Sequence, residues 1–369
     1  MANTDFAALT DNELTVWMRK VVRAAREKSF ITKFEGSDEN AMIHRINALT
    51  ETTGGAKAVM TLVTDLEDDG VAGDRNLEGN EEAMVSSDIV IQIDQLRHAV
   101  RNKGRMANQR SVVKFREVAM NNLSYWLANR YDQMALLTLS GISYTLFNNG
   151  ATRPKQEMAN LAYAADVTAP SANRHYRWNG TSGLFEAGNT ANVEATDTMS
   201  YDFVVNARTL AEDAYLKPLR MNGDVEWYNL FLTPHQIAQL KLDDDFKEAY
   251  RNAMPRTPDN PLFKGSDVIW LDGMAIHKHR YVYNTRGAAS GSKWGAAGAI
   301  DGARALLCGA QALGKAEVGR PIWVEKDFDY DNQPGIASGR ICGFRKPKFQ
   351  SIYSDSVEDF GVIAIDTAG

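Results

Sequence analysis

The chain has 369 residues, of which 44% are hydrophobic and 24% charged, with 47 acidic against 41 basic side chains. This is the profile of a folded soluble chain with room for two or three subdomains, and its net charge of -6 argues against nucleic acid as the main partner. No apolar run reaches the roughly 18 residues of a membrane helix, and no secretory leader follows Met1, so Cys308 and Cys342 are expected as reduced core thiols and the sequons at Asn122 and Asn179 carry no meaning.

Thr10-Asp11-Asn12-Glu13 has the pattern of a capping box. Leu14, Trp17, Met18, Val21, Val22 and Ala25 follow at helical spacing, so a short amphipathic helix, basic on its far side, is expected within an N-terminal arm over residues 1–55. Thr53-Gly54-Gly55 breaks the chain. Two β-like runs follow, Lys57–Leu66 and Ser87–Asp94, the second with Ile89, Ile91 and Ile93 on one face. Between the runs lies an acidic stretch of Asp65, Glu67, Asp68, Asp69, Asp74, Glu78, Glu81 and Glu82, offset by Arg75 alone. A two-stranded ribbon is marginal in water. It cannot bury the three isoleucines within itself, so they need cover from the chain's own body or from another chain.

The next segment has the opposite sign: Arg97, Arg101, Lys103, Arg105, Arg110, Lys114 and Arg116, with no acidic residue among them. Runs of like charge are commonly solvated faces. The sharper expectation is that the acidic ribbon of one subunit crosses this basic segment of its neighbour, complementary patches setting register and association rate. On that expectation, Glu67, Asp68, Asp69, Asp74, Glu78, Glu81 and Glu82 face Arg97, Arg101, Lys103 and Arg105 across a subunit boundary, with Ile89, Ile91 and Ile93 covered there.

Residues 108–140 predict one long helix, with Asn108 as cap, Gly141 as stop and apolar residues at helical spacing from Val112 to Leu137. Such a helix, wetted along one side, serves as a strut. Residues 148–200 are rich in Asn, Gly, Ala, Thr and Ser and predict a long loop. Ser200 caps a helix from Tyr201 to about Leu216, closed by Pro218. Glu226–Thr233 predicts a buried strand, and Thr233-Pro234 starts another helix. Asp267–Asn284 predicts two strands about Asp272-Gly273, and 287–302 a Gly-rich loop. Ala303–Leu313 is apolar, and strand-like runs follow at Pro321–Tyr330, Ser338–Gly343 and Phe360–Ile365. Strands and helices do not alternate, which gives an α+β class.

Catalytic and ligand-binding patterns are weak. Residues 309–315 match most of a phosphate-binding loop, but Ala316 lacks the hydroxyl such a loop needs for its metal, so the match is read as chance. His277 and His279 would share a strand face but lack further ligands at compatible spacing, so a packing role is expected. Glu325, Asp327, Asp329 and Asp331 would line up on a strand, yet Asn332 and Ser338 stand where a calcium loop needs Gly and Glu. No catalytic residue, metal or cofactor is assigned.

Several ordered motifs carry a resemblance over most of the chain. They are Leu77–Glu82, Ile93-Asp94-Gln95, Arg97–Val100, Gln109-Arg110, Leu123 and Trp126 in the first half, then Leu307–Ala312, Trp323–Gly335, Gly343–Lys346 and Asp359–Asp366. Together they resemble the tailed-phage major capsid family typified by phage N-four. The resemblance implies the Hong Kong 97-like fold. Its parts would be an N-terminal arm (1–55), an extended loop (56–106), a peripheral domain (107–217) with spine helix 108–140, an axial domain (218–320) and a return to the peripheral domain (321–369). It implies a shell subunit that assembles with itself into hexamers and pentamers around phage double-stranded DNA. Portal, scaffolding and decoration proteins would be further partners, and the inner face would meet DNA only non-specifically. An encapsulin-like compartment is the alternative. The Gly-rich stretches at 54–55 and 287–302 are candidate hinges.

Overall fold

The computed structural model describes residues 29–46, 55, 57–63, 69–82, 86–106, 115–221, 225–253, 268–351, 354 and 356–369. The expected N-terminal helix, Glu67, Asp68, Arg110, Lys114, Asn108 and Gly54 lie outside them.

The organising element is helix α1 (Phe115–Ser140). Its 26 residues span about 39 Å at the usual rise. Gly141 ends it with φ of 67°. Gly141 N–H donates to Thr138 O (3.1 Å) and Ile142 N–H to Leu137 O (3.0 Å), the paired bonds of a Schellman stop. A Cβ at Gly141 would lie 2.5 Å from Thr168 O, so the position needs glycine for space as well as for backbone angle. The expected strut is wetted only over its first half. From Tyr131 to Ser140 every residue is buried, because two sheets close on this end of the helix.

The first sheet begins with β1 (Glu35–Gly36) and β2 (Ile43–Ile46). The ribbon strands β3 (Lys57–Val63) and β4 (Ser86–Gln92) come next, and β5 (Asp94–Arg101) leads to the helix. After it, β6 (His175–Asn179), β7 (Leu184–Ala187), α2 (Tyr201–Asp213), β8 (Leu219–Met221) and β9 (Val225–Leu232) follow in order. Then come α3 (Pro234–Leu242), α4 (Asp244–Ala253), β10 (Val268–Leu271), β11 (Met274–Lys278) and β12 (Gly302–Cys308). The chain ends with β13 (Leu313–Phe328), β14 (Gln333–Arg345), β15 (Lys348–Ser351), β16 (Ser356–Asp359) and β17 (Val362–Ala368). The class is α+β, as expected; β9 and β11 are parallel, and the α3–α4 pair lies between them in the chain.

Five strands order as β1-β2-β13-β14-β5, and eight form the larger sheet β10-β11-β9-β12-β17-β6-β7 with β8 on β9. One face of the larger sheet packs on α1 through Phe231, Leu306 and Cys308. Its other face packs on α2 and α3 through Leu230, Leu307, Ile363 and Ile365. All seven residues of β12 are therefore buried, as a strand covered on both faces must be. Phe344, Cys342 and Leu313 of the five-stranded sheet join the same core from the other side of the helix.

Several expectations change. The stretch 148–200 is not a long loop: it holds short 3-10 turns and the β6–β7 hairpin, and β6 runs parallel to β17 inside the larger sheet. Its strand was hidden because polar Arg177 alternates with Trp178, and the arginine is buried by ion pairs to Glu186 and Asp197. The 287–302 segment is no open hinge either. Trp294 and Ile300 pair across it, and Gly295 N–H donates to Thr190 O (2.9 Å). Sheet membership also crosses the expected boundaries at 217, 320 and 321, since β6 and β17 share the sheet of β9 while β13 starts at Leu313 in the other.

The largest correction concerns the ribbon. Ala58 pairs with Ile91 and Met60 with Ile89, and this face turns onto Ile46, Ala316 and Phe360 of the same chain. Ile89 and Ile91 are 6% and 0% exposed, and Ile93 is half-buried against the same cluster. Their cover is the chain's own body. The fit depends on glycines: a Cβ at Gly343 would lie 2.0 Å from Gln92 O, and one at Gly314 would lie 2.7 Å from Ile91 Cδ1. Replacing Ile91 with Ala should therefore cost the unassembled monomer about 2–5 kcal/mol in urea unfolding. An unchanged midpoint would mean the ribbon is not packed on its own subunit.

Candidate functional site

The candidate surface is the ribbon tip and the basic segment that follows β5. Residues 69–82 are exposed almost throughout. Gly70, Gly73 and Gly79 turn the chain at φ of 72°, 72° and 94°. Gly79 N–H donates to Glu81 Oε2 (2.8 Å) and Asn80 N–H to Leu77 O (3.0 Å), so this part of the tip is held by its own bonds. Asp69, Asp74, Glu78 and Glu81 are exposed, Glu82 is half-buried, and Leu77 is 61% exposed among them. The outer face of the ribbon is mixed, with Val59 exposed and Thr61 Oγ1 donating to Asp88 Oδ1 (2.7 Å).

The basic side chains divide into two groups. Arg97 and Lys103 are exposed and form no ion pair among the described residues. Arg101 and Arg105 instead brace the turn of the β13–β14 hairpin in their own chain. Arg101 lies 4.4 Å over the Phe328 ring and donates to Gln333 Oε1. Arg105 Nε donates to Asp331 O (3.0 Å), and its backbone N–H to Asn332 Oδ1 (3.2 Å). Arg116 pairs with Glu325 at 2.8 Å. The acidic residues at 325–331 do not align as a strand row. β13 ends at Phe328, and Asp329, Tyr330 and Asp331 form a left-handed turn. No cluster of three or more metal-ligating side chains is present among the described residues.

The other weak motifs resolve into packing. Lys315, the lysine of the loop-like match, is 1% exposed and pairs with Glu35 (2.5 Å) and Glu317 (2.8 Å), so it cannot meet a phosphate. Arg340 completes that cluster at 2.7 Å from Glu317. Cys308 and Cys342 are free and buried. Burial raises both thiols, Cys342 to about 11, and a buried thiol is inert.

His277 and His279 do not act as a metal pair. His277 Nε2 donates to Asn229 Oδ1 (3.0 Å) and its ring stacks on Phe231. His279 stacks on Phe30 with centroids 4.3 Å apart and lies 4.0 Å from Asp132. Asp132, on α1, accepts from Ser29 Oγ (2.6 Å) and from the backbone N–H groups of Phe30 and Ile31 (both 3.1 Å). This histidine-rich seam therefore clamps residues 29–34 onto the helix and the larger sheet. Sequence reasoning missed it, since only the recurrence of Phe30, Phe34 and Phe231 near the two histidines marks it.

No helix among the described residues is long and apolar enough to cross a membrane. The family model for phage capsid protein matches residues 5–369. The major capsid protein of Pseudomonas phage KPP25 is 50% identical over 367 residues, covering 99% of this chain and 97% of that relative. The capsid of Ralstonia phage GP4 superposes with a TM-score of 0.74 at 28% identity, covering 92% of this chain and 91% of that one. The cyanophage Pam1 capsid subunit shares the fold at 18% identity, with a TM-score of 0.70 over 100% of this chain and 96% of that one.

The histidine seam makes a pH prediction. Burial, with Lys33 adding to it, lowers His277 from 6.5 to about 4. The native state therefore favours the neutral ring. Its contribution is present above pH 6.5 and is lost as pH falls toward 4, a swing of about 2–3 kcal/mol for this residue. Urea midpoints of the monomer should fall across that window in wild type, and less steeply in His277→Gln. Parallel curves would remove His277 as the cause.

Proposed function

The chain belongs to the phage capsid protein family and is a phage major capsid protein, and from that premise we propose how its surfaces build the head. The subunit assembles with copies of itself into the closed shell of the virion, around the phage DNA. We assign the Hong Kong 97-like roles by position. The ribbon of β3 and β4 with its tip is the extended loop. Helix α1 with the five-stranded sheet is the peripheral part. The larger sheet with α2, α3 and α4 is the axial part, and it takes in β6 and β17 from outside residues 218–320. An encapsulin-like compartment is not favoured, because the relatives are phage major capsid proteins.

The observation that carries the surface assignment is the ribbon's two-sidedness. One face is anchored on its own subunit by Ile89 and Ile91. The acidic tip beyond it is exposed. An anchored stalk with a free, charged tip reaches a neighbour at low entropic cost, because the stalk is ordered before contact. The tip's Asp69, Asp74, Glu78 and Glu81 then face Arg97 and Lys103 of the adjacent subunit. Glu67 and Asp68 extend the acidic run, and Arg101 and Arg105 serve mainly to stiffen the hairpin behind the patch. Each contact of standard size, about 1,600 Å², gives moderate affinity, and many per subunit make the closed shell hard to dissociate. The role is structural, and portal, scaffolding and decoration proteins are proposed as separate partners. With a net charge of -6, the inner face meets packaged DNA only non-specifically.

Charge complementarity of this kind acts on the encounter rate and is screened by salt. Assembly followed by light scattering should slow as ionic strength rises from about 0.05 to 0.5 M, where the screening length shrinks well below 10 Å. Arg97→Glu with Lys103→Glu should lower the assembly rate at least about tenfold and leave the monomer's unfolding midpoint unchanged. Wild-type assembly kinetics in that variant, at every salt concentration, would discard the crossing-ribbon contact.

A further inference from the structure

The tip of the β13–β14 hairpin is an aromatic anchor without a partner among the described residues. Tyr330 is 104% exposed. It sits between Asp329 and Asp331, and the three residues have φ of 54°, 49° and 64°. Left-handed backbone is unfavourable for residues other than glycine, and three in succession need outside support. That support is visible. Asn332 N–H donates to Asp329 O (3.0 Å) and Asn332 Nδ2 to Asp329 Oδ2 (3.2 Å). Arg105 holds Asp331 O at 3.0 Å, and Gln333 Nε2 donates to Lys103 O at 3.1 Å. The fold thus braces a strained backbone turn that presents a bare phenol ring flanked by two carboxylates. A braced backbone removes part of the ordering cost when an exposed aromatic binds, which suits an interface anchor.

A matching receptor lies elsewhere on the same chain. A cavity of about 420 Å³ opens at the start of α3, lined by Pro234, His235, Ala238, Arg280, Arg286 and Ala303 among others. Its lining includes the apolar side chains of Pro234, Ala238 and Ala303 and the cationic side chains of Arg280 and Arg286. Arg280 is held in place by Asn129 Oδ1 (3.3 Å) and Tyr281 OH (3.0 Å), and Arg286 reaches Gly369 O at 3.5 Å. The volume admits a tyrosine side chain. The charges complement Asp329 and Asp331, and an acidic tip of this kind repels nucleic acid. Since Tyr330 is fully exposed, the match is not made within one chain.

We propose that Tyr330 of one subunit docks into the Arg280–Arg286 cavity of a second copy, with Asp329 and Asp331 meeting the two arginines. This contact is distinct from the ribbon crossing and rests on the shell assignment. The test uses full-length chain assembled into particles. Tyr330→Ala, at a fully exposed side chain, should keep the monomer's unfolding midpoint and lower particle yield about tenfold. Tyr330→Cys combined with Ala238→Cys, treated with copper phenanthroline in air, should give a ladder of covalent multimers on a non-reducing gel. Neither single variant should do so, and Cys308 and Cys342 are silent because they are buried. Intact particles without a ladder, together with wild-type yield in Tyr330→Ala, would overturn the docking while leaving the shell assignment standing. A wild-type chain that stays monomeric when scaffold is supplied would overturn both.

Discussion

The structure depends on one constraint: the last ten residues of α1 are buried on every side. An isolated amphipathic helix needs cover on one stripe only. Here two sheets close on the helix, so most of its polar groups are satisfied internally, the buried Tyr131 hydroxyl being an exception. Asp132 takes three donors from residues 29–31. Gln133 Oε1 accepts from Arg130 and Arg153. Thr138 bonds Met134 O and the Tyr144 hydroxyl. Ser140 O accepts from Arg304 Nη1 at 2.8 Å. Each of these contacts fixes a different part of the molecule to the helix: residues 29–31, the 144–153 turn and the larger sheet. Removing any one of these partners while the helix stays buried would leave a polar group unpaired.

From this constraint the division of labour follows. The helix and the two sheets share one continuous core. The elements that project from it are the acidic ribbon tip and the hairpin turn. Each is stiffened where it leaves the body, the ribbon by Ile89 and Ile91 and the turn by Arg101 and Arg105. A shell tile needs that combination, because contacts repeated many times must keep one geometry or the lattice does not close. Stiff projections also lower the ordering cost of each weak contact, so the sum can be large without any single interface being strong.

Much of this was legible in the sequence. The Ser200 cap, the Thr233-Pro234 start and the Asp272-Gly273 turn lie where residue chemistry puts them, because caps and tight turns are decided by a few neighbouring residues. The α+β class followed from element order. Long-range cover was not legible. Alternation showed that Ile89, Ile91 and Ile93 share a face, but nothing local shows that Ile46, Ala316 and Phe360 lie beneath them. The β13–β14 hairpin runs longer than its apolar runs suggest, because its inward positions include Lys315, Glu317 and Arg340, which read as exposed until they are seen paired. The register of that hairpin shifts between Val318 and Ile322, which split one strand into two apparent runs. On the surface, the sign of each charged patch could be read, while the use of Arg101 and Arg105 within their own chain could not.

The buried ion clusters explain how one arrangement is selected. Lys315 with Glu35, Glu317 and Arg340 joins β1, β13 and β14. Arg304 with Asp366 and His175 joins β12, β17 and β6. In the second cluster burial disfavours the Asp366 carboxylate, yet Arg304 and His175 hold its pKa below the usual range, so the charged form persists. Such clusters add little net stability, since desolvation offsets most of the attraction. Their effect is on alternatives. A register slip of one residue in β13 would send Lys315 and Glu317 to the wrong face, leaving Glu35 and Arg340 buried without partners. That penalty is several kcal/mol per stranded charge in general, far above the cost of a misplaced methyl group. The apolar core makes the subunit compact, and the ion clusters make its strand registers unique. Unique registers in turn fix where the hairpin turn and the ribbon tip emerge, and so which surfaces a neighbouring subunit can meet.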